Sequence, residues 1–127
     1  MTYRRRAAVA FTLRHADPVG QRWFEQQIAS MARKHRYPLV RTLVIGPRMD
    51  RPIGRLLDTV EALLAAAAAR GEPRPQILVI TPDLEHIDQS RATICAVADL
   101  LTIAPERLWT REPEHVCVQL PDSAGMY

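Results

Sequence analysis

The chain alternates short apolar runs with longer stretches whose apolar residues return every three or four positions, the two periods of strand and helix. Ala7 to Leu13 is apolar until Thr12 and predicts a first strand buried on both faces. A loop over Arg14 to Val19 follows. Trp23, Phe24, Ile28, Met31 and Ala32 then recur at helical spacing, which predicts a helix from near Val19 to His35. This spacing places Trp23 in the core rather than on the surface. Tyr37-Pro38 breaks the helix, and Leu39 to Ile45 reads as a second strand ended by Gly46-Pro47.

The next helix has the plainest pattern. Asp50 offers a capping oxygen, Pro52 suits the first turn, Ile53, Leu57, Val60, Leu64 and Ala67 form one stripe, and Arg70-Gly71 closes it. Gln76 to Ile80 is a third strand, apolar throughout its last four residues. Ile94, Val97, Ala98 and Leu101 predict a third helix, capped by Asp88 or Ser90, with Pro105 beyond its end. Arg107 to Thr110 and Val116 to Leu120 read as two short final strands. The order βαβαβα then ββ implies an α/β domain with a mostly parallel sheet and helices on both faces, a three-layer α/β/α arrangement. At 127 residues the chain suffices for one core, so a single domain over 1–127 is expected, with loose ends near 1–5 and 121–127.

Composition narrows the function classes. No segment is apolar enough to span a bilayer, and the apolar run after the basic Met1 to Arg6 is too short for a secretory signal, so a cytoplasmic protein without membrane contact is expected. Cys95 and Cys117 each lie in apolar surroundings and are expected as buried free thiols. The net charge of +3 comes almost wholly from arginine and permits phosphate or acidic partners without requiring them. Arg4 to Arg6 and Arg33 to Arg36 come nearest to a basic cluster and read as solvated charges.

Ligands of open α/β sheets sit at the carboxyl ends of the strands, which directs attention to three loops: Arg14 to Gly20, Gly46 to Arg51 and Thr81 to Gln89. They carry Arg14, His15, Asp17, Arg48, Asp50, Arg51, Asp83, Glu85, His86 and Asp88. Gly46-Pro-Arg-Met-Asp50 lacks the glycine spacing and lysine of a phosphate loop, and no dinucleotide fingerprint follows the first strand. No histidine and carboxylate set has metal-ligand spacing on one helix, and no serine sits in a sharp turn after a strand. Neither a metal nor another cofactor is expected. His15 and His86 are candidate acid/base groups if the crevice binds a phosphate ester or nucleotide.

The element order, with Asp50-Arg-Pro-Ile-Gly-Arg-Leu-Leu57, resembles the catalytic domain of the serine recombinases, the resolvase/invertase family. There a similar Asp-Arg-Pro segment opens the helix after the second strand, and the resemblance makes Arg51 the arginine that holds the scissile phosphate. The family's first strand ends in Tyr-x-Arg-x-Ser, whose serine attacks DNA. Here the stretch is Phe11 to Ala16, and either His15 or, with a one-residue shift that matches Arg14 to the family arginine, Ala16 stands at the serine's place. After the third strand the family has Leu-Asp-Arg-Leu-x-Arg, whereas this chain has Leu84 to Gln89, with His86 and Gln89 in place of the arginines. The resemblance therefore implies a resolvase-like domain with a degenerate active site and no catalytic residue, one that does not recombine DNA. Its expected role is an interaction or regulatory module that binds another protein or itself, with non-specific DNA contact through Arg14, Arg48 and Arg51.

Overall fold

The computed structural model describes residues 5–87 and 90–111. Five strands form one sheet in the order β2-β1-β3-β4-β5. β1 (Arg6–Leu13), β2 (Leu39–Ile45), β3 (Gln76–Thr81) and β4 (Asp99–Ile103) run parallel, and β5 (Glu106–Trp109) is antiparallel to β4. α1 (Pro18–Lys34) joins β1 to β2, and α2 (Pro52–Ala69) joins β2 to β3. A 3-10 turn, Leu84–Ile87, and the short α3 (Arg91–Cys95) lie between β3 and β4.

Alternation along the strands sorts side chains onto two faces. Ala8 and Ala10 of β1, Leu78 and Ile80 of β3 and Leu101 of β4 pack with Ile28 and Ala32 of α1. Val9, Phe11, Ile77, Val79 and Leu100 take the other face, under Leu56 and Val60 of α2 and Ile94 and Cys95 of α3. The architecture is therefore α/β with helices on both faces, as the patterning implies.

Several details differ from expectation. Leu101, assigned above to the end of a third helix, belongs to β4 with Leu100; α3 stops at Cys95, and Val97 and Ala98 lie in the bend between them. β4 is buried on both faces, so its apolar residues run together without alternation, and a short run of this kind also fits the last turn of a buried helix. Pro105 lies in the tight connection from β4 to β5 rather than past a helix. Ser90 occupies the N-cap position of α3 without a side-chain cap bond, and Asp88 lies outside the described residues. The expected strand Val116 to Leu120, Cys117 and the loose end near 121–127 fall outside them as well, as do residues 1–4. Cys95 is a buried free thiol.

The N-terminus of α2 departs from the expected Asp50 cap. Arg51 is the N-cap, in the left-handed region at φ 51° and ψ 54°, with no side-chain cap bond. Asp50 instead accepts from Arg55, Nη2 to Oδ1 at 3.0 Å, and this bond holds its carboxyl below the usual carboxylate range. Trp23 is also not in the core: its side chain stands outward from α1, 53% exposed.

Candidate functional site

Strand order reverses between β1 and β3: α1 carries the chain from β1 to β2 on one face, and α2 brings it back to β3 on the other. Such a switch point leaves a crevice at the carboxyl ends of the two strands. Here the crevice has a volume of about 580 Å³ and is walled by Leu13 from β1, Arg51, Ile53 and Gly54 from the start of α2, and Glu85, His86 and Ser90 after β3.

His86 is fastened to the end of β1. The backbone N–H of Leu13 donates to its Nδ1 at 3.0 Å, and the Thr12 hydroxyl, which donates to the Leu13 carbonyl, lies 3.3 Å from the same nitrogen. A nitrogen that accepts carries a lone pair, so the proton of the neutral ring is on Nε2. Burial holds the His86 pKa below its ordinary value. Asp83 and Glu85 pull the other way, and the charge of nearby His15 adds to the lowering.

His15 is held from below by its own loop. Its Nδ1 accepts the Asp17 N–H at 2.9 Å, and its backbone N–H donates to Gln21 Oε1 at 2.8 Å. Its ring lies so close over Gly20 that a Cβ there would fall 2.6 Å from Cε1. Phe24, one turn further along α1, joins the two imidazoles. Its ring centroid is 5.5 Å from that of His15 and 5.4 Å from that of His86, edge-to-face in both cases.

Of the three arginines, only Arg51 lines the crevice. Its guanidinium folds back over Gly54, and its Nη2 lies 3.9 Å from Asp58 Oδ2. Arg14 passes near Gly46, and Arg48 is exposed on the β2–α2 loop; neither walls the crevice. The three sit on the rim without forming one cradle. No group of three or more metal-ligating side chains occurs among the described residues. Gln89 lies outside them.

Sequence reasoning named both histidines by their place after strands; His86 lines the crevice and His15 does not. It missed Thr12, Gly20 and Phe24, which hold those histidines. Phe24 read as one more apolar position on a helix, and periodicity carries no signal for a ring that bridges two loops. Compared with protein-family models, with curated proteins and with solved structures, the chain finds no match. No helix among the described residues is long and apolar enough to cross a membrane.

Proposed function

We propose that this chain is a resolvase-like domain that keeps the fold, has lost the recombination chemistry, and works by binding another macromolecule. A protein partner or a second copy comes first, and duplex DNA, bound without sequence preference, comes second. The reading rests on one observation above others. Where the resemblance expects an attacking serine, His15 stands in the unshifted alignment and Ala16 in the shifted one, and His86 replaces a supporting arginine after the third strand; both imidazoles are packed edge-on against Phe24 with a nitrogen of each tied to a backbone amide. Fixed, ring-packed imidazoles provide neither an alkoxide nor a bidentate cation. Losing even one donor to a transition state costs about 3–4 kcal/mol.

Two features favour a partner. β2 is an edge strand whose first four residues are all exposed, with Leu39 and Val40 among them. Arg14 and Arg48 have no carboxylate within ion-pair distance among the described residues, which leaves them free for phosphate. The test is fluorescence anisotropy of labelled duplex DNA over a range of salt around 0.1 M. Binding without base preference that falls steeply with salt and disappears in the Arg14→Ala/Arg51→Ala double variant would select DNA as the partner, and no binding at micromolar protein is the result expected for a protein-interaction module. Sequence-dependent duplex binding, or a covalent protein–DNA product, would sink the reading.

A second reading is a small anionic ligand, such as a phosphate ester, in the crevice. It is favoured by the cleft itself, where Arg51, His86 and Ser90 converge beside the uncapped start of α2. Phosphate should then shift the His15 and His86 ring resonances together. If replacing both by alanine leaves affinity unchanged, this alternative fails.

A further inference from the structure

Trp23 is the side chain whose placement departs furthest from its sequence pattern. At 53% exposed it leaves a broad indole surface to solvent, and the surface is propped from behind. The Phe24 ring lies 5.6 Å away, tilted by 58°, and is itself held between His15 and His86 at the carboxyl end of the sheet. An aromatic so supported loses little rotamer freedom when something stacks on it.

At ~100° per residue Arg22 and Arg33 lie within about 100° of Trp23 around α1, and Glu25 lies about 160° away from it. Arg22 is exposed and has no carboxylate within ion-pair distance among the described residues. Of the nearby acids, Asp17 accepts the Val19 N–H at 3.1 Å, and Glu25, the only acid in α1, accepts from the Gln21 amide at 2.9 Å; both keep their negative charge. Arg33, exposed and likewise without an ion pair among the described residues, follows about 16 Å along the axis at ~1.5 Å per residue.

A ligand for this face must offer a flat π-surface next to negative charge. A protein hot spot needs an apolar surround that excludes water. Among the α1 residues beside Trp23 or one turn from it, Val19 is apolar and exposed, and Arg22 and Gln26 are polar and exposed. Duplex DNA keeps its base faces stacked and out of reach. Unpaired nucleotides present both the base face and the phosphate. We propose that the outward face of α1 binds single-stranded nucleic acid, with one base stacked on Trp23 and flanking phosphates on Arg22 and Arg33. This goes beyond the reading above and does not depend on the resolvase likeness.

The test uses labelled oligo-dT of about 20 nucleotides, longer than the usual ~4–16 nucleotide site of one small domain. Anisotropy should show saturable binding that Trp23→Ala weakens roughly 5- to 150-fold, the span expected for one stacked base. Far-ultraviolet circular dichroism of that variant should match the parent, since the lost side chain is exposed. In a Trp109→Phe background Trp23 is the sole tryptophan, and its emission should be quenched on binding. Arg22→Ala should lower the salt slope by about 0.7, the value for one single-strand phosphate. Three outcomes would overturn the proposal: no binding at micromolar protein, binding that neither quenches Trp23 nor responds to Trp23→Ala, and equal quenching by duplex. The second would leave the tryptophan for a protein contact.

Discussion

His86 shows how one side chain can tie the site to the stability of the fold. In the folded chain its Nδ1 accepts the Leu13 amide and its ring is partly buried, so protonation is resisted and the pKa lies below the ordinary value. The unfolded chain takes up that proton near pH ~6.5. As pH falls through that value the unfolded state binds more protons than the folded one, and stability drops until the folded ring also protonates. Denaturant titrations at pH 8 and at pH 5.5 should show this loss in the parent. His86→Gln, which has no proton to gain, should show a smaller one. An unchanged difference between the two pH values would mean that His86 titrates as a solvated ring and that its bond to β1 does not persist in solution.

At the scale of elements, the two long helices end alike with different residues. In α1 the Tyr37 N–H reaches the Ala32 carbonyl and the Arg36 N–H that of Arg33; in α2 Glu72 reaches Ala67 and Gly71 reaches Ala68. Both are Schellman closures, which place one residue in the left-handed region. That residue is Gly71 at φ 71° in α2, but Arg36 at φ 63° in α1. A Cβ in this region costs about 1–2 kcal/mol, partly offset by the greater freedom glycine gives the unfolded chain. Arg36→Gly should therefore stabilise the protein by about 0.5–1 kcal/mol, and Gly71→Ala should destabilise it by about as much, both read from thermal or denaturant midpoints. Gly71 and the flanking periodicity made the end of α2 legible in the sequence. The end of α1 was legible only from Tyr37-Pro38, because nothing about an arginine announces a left-handed turn. The same contrast runs through the chain. β1, β2 and β3 and both long helices follow from apolar period and breakers. β4 does not, since Leu101 continues the three-and-four spacing of Ile94, Val97 and Ala98 and so reads as the last turn of a helix. In the site, topology alone brings His15, His86 and Arg51 to the strand ends, whereas the Phe24 bridge depends on ring orientation, which pattern does not encode.

For the whole molecule the question is whether the two faces of the sheet form one cooperative unit. They share every central strand: Val9 and Phe11 face α2 while Ala8 and Ala10 face α1, and Val79 faces α2 while Leu78 and Ile80 face α1. The small residues of β1 lie under Ile28 and Ala32, and Phe11 lies on the side of Leu56 and Val60. Neither layer can detach without exposing strands that also line the other core. Leu56 and Ile28 are each fully buried, one on either side. Truncating either to alanine should cost about 2–5 kcal/mol, a large share of the ~5–15 kcal/mol that holds a domain of this size. If the sheet couples the layers, Leu56→Ala and Ile28→Ala should each shift a single unfolding transition to lower denaturant without changing its slope, by circular dichroism and by tryptophan fluorescence alike. The two tryptophans report from different places, Trp23 from the outer face of α1 and Trp109 from beside the core under α2 and α3. Transitions that separate between the two probes in Ile28→Ala would show that α1 comes away first. The exposed indole and the His15–Phe24–His86 cluster would then stand on a layer able to open by itself, and binding at that face would be coupled to its closing.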